Sequence, residues 1–249
     1  MRTPLVAGNW KMNGTQAMAN ELCQGIIAGM NDLNNVEVLV CPPAILIPSA
    51  VNAATNSNLL VGGQDIDINQ GGAFTGQTST AMLLDAGCSH VIVGHSERRQ
   101  FYGDSDALVA EKTQVALDAG LTPIVCVGES QQERESGSTE AVVGTQLNAV
   151  LDKVGIAAFS KIVIAYEPVW AIGTGLTASP EQAQDVHAFI RGILADKDQS
   201  VAEQCRVLYG GSMKPGNAAE LISKPDIDGG LIGGAALAAQ DFLGICSAA

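Results

Sequence analysis

The sequence predicts an α/β protein, a single-domain (β/α)8 barrel. Three observations carry that reading. Eight apolar, strand-like runs recur along the 249 residues, at about the ~30-residue spacing that a strand and its following helix occupy. Helix-like segments fill the intervals. Almost every strand-like run ends in polar or glycine residues, and in a parallel barrel all such ends share one face, where barrel enzymes place their chemistry.

In chain order the strand-like runs are Leu5–Gly8, Val36–Cys41, Leu59–Gly62, His90–Gly94, Thr122–Val127, Lys161–Tyr166, Arg206–Tyr209 and Gly229–Ile232. They are short, nearly continuous in apolar side chains and rich in β-branched residues, the pattern of parallel strands covered on both faces. Among the helix-like segments are Thr15–Met30, Ser105–Asp118, Thr139–Val154 and Pro180–Lys197. The last opens on Ser179-Pro180-Glu181, a capping residue followed by proline in the first turn. A doubly wound open sheet is the alternative, but no G-x-G-x-x-G follows the first strand. No linker, charge run or low-complexity tract divides the chain, so residues 1–249 are expected to form one domain.

Composition excludes several classes of partner. A net charge of −13 argues against nucleic acid and anionic membranes, both of which need a positive surface. No apolar segment reads as a signal peptide or a membrane span, so a cytoplasmic location is expected. The six cysteines contain no C-x-x-C pair and several lie in apolar runs, so reduced, buried thiols are expected rather than zinc or disulfides.

The segment AYEPVWAIGTG, Ala165–Gly175, concentrates the chemistry. Glu167 stands where a buried strand runs out, and Pro168 turns the chain from the sheet because it lacks an N–H and disfavours helical geometry before it. Partial desolvation there is expected to raise the Glu167 pKa toward neutrality and make a general base. After Pro168, an apolar tip carrying Trp170 and Ile172 and a glycine-flanked exit through Gly173 and Gly175 read as a lid. The other strand ends contribute Asn9 and Lys11, Gln64 and Asp65, His95, Glu129, Gly210-Gly211-Ser212 and Gly233-Gly234. Taken singly, Lys11 fits a solvated lysine, His95 a packing histidine and the glycine pairs tight turns. Taken together, they bring a cation, an imidazole, a carboxylate and anion-admitting glycine turns to one mouth. Gln64–Thr78 is a long connection, and an exposed Phe74 at its tip is better explained by insertion into another surface than by a free loop.

Across essentially its whole length the chain resembles the triosephosphate isomerase family. GNWKMNG at Gly8–Gly14, GAFTG at Gly72–Gly76, VGHSERR at Val93–Arg99, CVGE at Cys126–Glu129, AYEPVWAIGTG, YGGS at Tyr209–Ser212 and IGG at Ile232–Gly234 carry the resemblance in order and spacing. It implies a TIM barrel interconverting dihydroxyacetone phosphate and D-glyceraldehyde 3-phosphate through an enediolate, with no cofactor and no metal. Glu167 would move the proton between adjacent carbons, and His95, kept neutral at a helix start near Ser96, would polarise the carbonyl; this family is among the standard examples of such pKa tuning. Lys11, oriented by Asn9 and paired with Glu97, would supply positive charge. The phosphate would meet Gly173, Ser212, Gly233 and Gly234. Glu129 and Tyr166 would serve Trp170, Tyr209 and Ser212 would latch the lid against Ala178 and Gly175, and Cys126 would lie beneath the site. The resemblance also implies a homodimer in which Thr75, with Gln64 and Phe74 in the same loop, braces the partner's site.

Several positions depart from the family pattern. Leu176 stands where lysine is usual, Ala236 where serine is common, Asp65 where asparagine is common, and Gln77 and Asp104 where glutamates are usual. None removes a catalytic group, while Gln77 and Asp104 bear on how Arg98 is held. A different isomerase of phosphorylated sugars would share the phosphate face but need other acid–base residues, and a silent scaffold barrel would not need Lys11, His95 and Glu167.

Overall fold

The computed structural model describes residues 2–33, 35–172 and 177–249. Its eight strands are β1 (Leu5–Asn9), β2 (Glu37–Cys41), β3 (Leu59–Gly63), β4 (His90–Val93), β5 (Thr122–Val127), β6 (Val163–Tyr166), β7 (Arg206–Tyr209) and β8 (Gly229–Ile232). They form a closed parallel barrel in sequence order. The ring shuts where β8 pairs with β1, Leu5 opposite Gly229 and Gly8 opposite Ile232.

Alternation along the strands explains their continuous apolar character. Leu5, Ala7, Leu39, Cys41, Ile92, Ile124, Cys126, Val163, Ala165, Leu208 and Leu231 point inward and fill the barrel. Their neighbours Val6, Val38, Val40, Val91, Val93, Val125, Val127, Ile164 and Val207 point outward into a second core beneath the helices. Each fully buried aliphatic side chain contributes about 1.5–3 kcal/mol relative to exposure.

The described helices are α1 (Gln16–Met30), α2 (Ile47–Ala54), α3 (Thr80–Asp85), α4 (Ser96–Tyr102), α5 (Asp106–Ala119), α6 (Gln131–Glu135), α7 (Thr139–Val154), α8 (Pro180–Ala195), α9 (Gln199–Gln204), α10 (Pro215–Ile222) and α11 (Ala239–Cys246). Side-chain caps fix several starts: Thr15 accepts from the Met18 amide, and Ser179 and Gln182 cap each other's backbone ahead of Pro180. Differences from the sequence expectation are confined to ends. Strand β6 begins at Val163 because Ile156–Lys161 first winds a 3₁₀ turn that buries Phe159. Strand β4 stops at Val93 because Gly94 takes φ +70°, a left-handed turn that sends the chain into α4. Helix α8 ends at Ala195, two residues early, where the Lys197 amide turns back to the Leu194 carbonyl.

Candidate active site

The C-terminal ends of the strands open on a cavity of about 430 Å³ lined by Asn9, Lys11, His95, Glu167, Ile172, Ser212, Gly233 and Gly234 among others. Lys11 is placed by backbone as much as by side chain. Its amide donates to Asn9 Oδ1 at 2.9 Å, and its carbonyl accepts from Gln64 Nε2 at 2.8 Å. Gln64 also donates to the Cys41 carbonyl, which ties the Lys11 turn to the end of β2. Lys11 has φ +53°, a left-handed conformation that costs a non-glycine residue on the order of 1–3 kcal/mol and that these bonds enforce. Its ammonium then reaches Glu97 Oε1 at 2.6 Å.

His95 is the N-cap residue of α4. Its Nδ1 accepts from the Glu97 amide at 3.2 Å, so the ring proton resides on Nε2, which lies 3.0 Å from Glu167 Oε1. Glu167 is docked on the same helix start. The Ser96 amide donates to Oε2 at 2.9 Å and the Ser96 hydroxyl to Oε1 at 3.1 Å. The carboxylate is 2% exposed, so its charge is held by these donors and not by water. Glycines make the packing possible. A Cβ on Gly128 would overlap the Glu167 carbonyl, and one on Gly210 would lie 2.9 Å from Glu167 Cγ.

This docking corrects two expectations. Burial does push the Glu167 carboxyl up, but the charge and hydrogen bond of His95 and the two donors of Ser96 outweigh it and hold the pKa below the ordinary carboxylate value. For His95, burial lowers the pKa, while the charge and hydrogen bond of Glu167, with Glu97 beyond, raise it above the ordinary value. The expectation that the helix start disfavours the His95 imidazolium is thus corrected too, because Glu167 favours the charged ring, and in the resting pair the carboxylate accepts from His95 Nε2–H. A Glu167 pKa near neutrality requires that the carboxylate first leave Ser96.

On the opposite wall, Gly233 and Gly234 begin the 3₁₀ turn Gly234–Leu237, whose first N–H groups lack partners within the turn. A Cβ on Gly233 would lie 3.5 Å from Lys11 Cε, and one on Gly234 would meet open space. Thus an anion can approach the backbone there with the Lys11 stem alongside. Lys214 also lines this end of the cavity.

The start of the lid is anchored behind Glu167. Glu129, fully buried, accepts on one oxygen from Tyr166 OH at 3.1 Å, Trp170 Nε1 at 2.9 Å and Arg134 Nη1 at 3.2 Å. The Arg134 guanidinium also lies over the Trp170 ring, 4.7 Å from its centroid. Pro168 packs where a Cβ on Gly211 would come within 2.9 Å of its ring. Tyr209 is fully buried with no hydrogen-bond partner on its hydroxyl among the described residues. Burial pushes its pKa up to about 12, tempered by the nearby Ala178 amide.

The sequence-derived set therefore divides in three. Asn9, Lys11, His95, Glu167, Ile172, Ser212, Gly233 and Gly234 line the cavity. Ser96, Glu97, Cys126, Glu129, Tyr166, Pro168, Trp170 and Tyr209 lie behind it, and Gln64 braces Lys11 from a neighbouring groove. Gly173 and Gly175, expected on the phosphate and at the lid exit, and Leu176 lie outside the described residues. Phe74 and Thr75 are exposed and do not line this chain's own cavity. Sequence reading missed Arg134, Arg99 and Gln146. Arg99 bonds the Gly94 and Cys126 carbonyls, and Gln146 bonds both the N–H and the carbonyl of Gly128. The sequence signal for Arg134 was its position five residues after Glu129.

A parallel barrel whose mouth gathers an ammonium, an imidazole and a buried carboxylate beside anion-admitting glycine turns defines an enzyme of proton transfer on a small anionic carbonyl compound. Residues 4–249 match the family model described as triosephosphate isomerase. The chain is 56% identical over 250 residues to the triosephosphate isomerase of Hydrogenovibrio crunogenus, covering 100% of this chain and 99% of the relative. It is 57% identical over 249 residues to that of Thiobacillus denitrificans, with 100% and 99% covered, and 53% identical over 248 residues to that of Ruthia magnifica, with both chains fully covered. The chain belongs to the triosephosphate isomerase family and is an isomerase interconverting an aldose and a ketose phosphate.

Proposed function

We propose that Glu167, His95 and Lys11 carry the interconversion of dihydroxyacetone phosphate and D-glyceraldehyde 3-phosphate, the isomerisation that links the two triose phosphates of glycolysis and gluconeogenesis. The observation that carries this reading is the 3.0 Å contact between His95 Nε2 and Glu167 Oε1 in a cavity shared with Lys11. Substrate carbonyl oxygen entering beside His95 competes for the Nε2–H, and Glu167 exchanges its Ser96 donors for a position against the substrate carbon. In that position the carboxylate keeps its burial but loses the donors that depress its pKa, so its basicity rises. Glu167 takes the proton from one carbon, His95 donates to the developing enediolate oxygen and Lys11 stabilises the negative charge. His95 recovers its proton from the other enediolate oxygen as Glu167 returns the carbon-bound proton to the neighbouring carbon, which completes the isomerisation and restores both residues. Atoms and electrons balance within one molecule.

Ser212, Gly233 and Gly234 hold the phosphate through backbone and hydroxyl donors; Gly173, assigned to the same set by resemblance, lies outside the described residues. Closure of the lid keeps water from the enediolate and prevents loss of phosphate.

The active form is a homodimer, a reading supported by large apolar side chains left exposed, two of which, Met12 and Tyr102, line one groove. Met12, Ile45, Phe74, Met82, Phe101 and Tyr102 are 94%, 81%, 43%, 58%, 67% and 68% exposed. Met12, Gln64, Asp65, Gln77, Arg98 and Tyr102 line a groove of about 320 Å³ that also touches Lys11 and His95. A second copy inserting its Phe74–Thr75 tip there would cover this surface and brace the catalytic residues. Among the described residues no helix is long and apolar enough to cross a membrane, and the enzyme is assigned to the cytoplasm with its pathway. A coupled assay on D-glyceraldehyde 3-phosphate, with a panel of larger sugar phosphates as competitors, tests the substrate assignment; turnover confined to the triose phosphates is expected, and preference for a larger sugar phosphate would overturn it.

A further inference from the structure

Beside the cavity, where Asp65 and Arg98 line the neighbouring groove, four charged side chains outside the residues assigned to substrate close a ring. Arg98 of α4 reaches Asp65 Oδ2 at 2.9 Å, and Lys112 of α5 reaches the two Asp65 oxygens at 2.8 and 3.0 Å. Asp104, between those helices, takes the same two cations: Lys112 Nζ at 2.9 Å and Arg98 Nε at 3.2 Å. Lys112 and Asp104 are each 4% exposed. Charges buried this deeply are tolerated only when paired, and removing one partner costs far more than an exposed pair would.

The ring joins the two walls that carry Lys11 and His95. On one side Asp65 follows Gln64, whose amide fixes the Lys11 carbonyl. On the other, Arg98 belongs to the first turn of α4, which presents Ser96 to Glu167 and Glu97 to Lys11. The Arg98 amide bonds the His95 carbonyl at 2.7 Å, so a shift of Arg98 is passed directly to the catalytic imidazole. The Asp104 amide bonds the Arg98 carbonyl, which closes the second connection on the same helix.

We propose that Asp65 is a positioning residue: its carboxylate neutralises Arg98 and Lys112 together with Asp104 and thereby sets the start of α4 relative to the Lys11 turn. The proposal rests on the roles given above to Lys11, His95 and Glu167. Asp65 never touches substrate and acts through Arg98 and Gln64. Asp104 alone cannot serve both cations as closely, since its bond to Arg98 is already the longest in the ring. A longer carboxylate at 104 would reach both.

The test compares Asp65→Asn, Asp65→Asn/Asp104→Glu and the parent as full chains, at concentrations where sedimentation shows the same association state. Asp65→Asn keeps the volume but leaves two cations on one carboxylate. Its kcat should fall about tenfold, as expected when catalytic groups shift by a fraction of an ångström. KM should stay within about twofold because the phosphate end is untouched. The His95 ring nitrogen resonances should move, and the double variant should recover most of kcat and the parental resonances. Parental kcat with unshifted His95 resonances in Asp65→Asn would overturn the proposal. A kcat loss without movement of His95, or one the double variant does not recover, would overturn it equally. Glu167→Gln in the same series separates the two readings: if that variant turns over normally the catalytic assignment fails, while the His95 resonances still report on Asp65.

Discussion

The Ser96 amide and hydroxyl both donate to the Glu167 carboxylate, at 2.9 and 3.1 Å, and so hold the reacting group on the first turn of α4 when the site is at rest. Their pull is one reason the Glu167 pKa lies below the ordinary value despite full burial. Ser96→Ala removes the hydroxyl donor and leaves the amide. The acid limb of kcat/KM, which reports the free enzyme's base, should then move to higher pH, because a base with fewer donors protonates more readily. A pH–rate profile from pH 4 to 9 checks this, and an acid limb moving to lower pH contradicts it.

Arg134 holds Trp170 at rest by an ion pair to Glu129 and by lying over the indole. A cation–π contact at a partly exposed site is worth about 0.5–1 kcal/mol. Arg134→Met weakens the resting lid and leaves the cavity intact. By linkage a non-reacting phosphate analogue that favours the closed lid should bind about two- to fivefold tighter. Titration followed by Trp170 fluorescence in a Trp10→Phe background reads it directly.

His90 and His187 should make the fold sensitive to mild acid. Burial is the main cause that lowers both to about 4, with the Arg206 charge adding to the fall at His90. The unfolded chain protonates these rings near their ordinary value while the folded chain does not. Stability should therefore be full above about pH 6.5 and decline as pH falls toward 4, by roughly 1 kcal/mol per pH unit for each ring. Denaturant unfolding from pH 7.5 to 4 measures the slope. In His187→Gln the slope should be shallower, even though that variant starts less stable.

Thr75→Arg places a charge at the loop tip that the dimer reading buries. Sedimentation and turnover on the same samples should show dissociation and loss of activity together. A monomer with parental turnover would rule out both the interface and its supporting role.

The barrel was legible because burial on both strand faces leaves an unmistakable apolar signature. Even so, β6 began two residues late, since a 3₁₀ turn around Phe159 uses the same apolar alphabet as a strand. Lys11, His95 and Glu167 were legible from their places at strand ends and from the motifs around them. Arg134 was not, because an arginine on a short polar helix looks solvated until Trp170 is seen beneath it. The lowered pKa of Glu167 was likewise hidden: a strand-end glutamate reads as desolvated, and only the fold shows Ser96 donating to it. The Asp65–Lys112 contact joins residues 47 positions apart, so sequence marked Asp65 as a departure without showing what it binds.

The central claim is that Glu167 is the base. Glu167→Gln preserves shape and the bond from the Ser96 amide but cannot accept a proton from carbon. The rate of isomerisation should be measured on a purified variant shown to bind a phosphate analogue as the parent does. A loss of about 10²-fold or more, in line with removal of a general base, is the result expected. Turnover within about tenfold of the parent would contradict it.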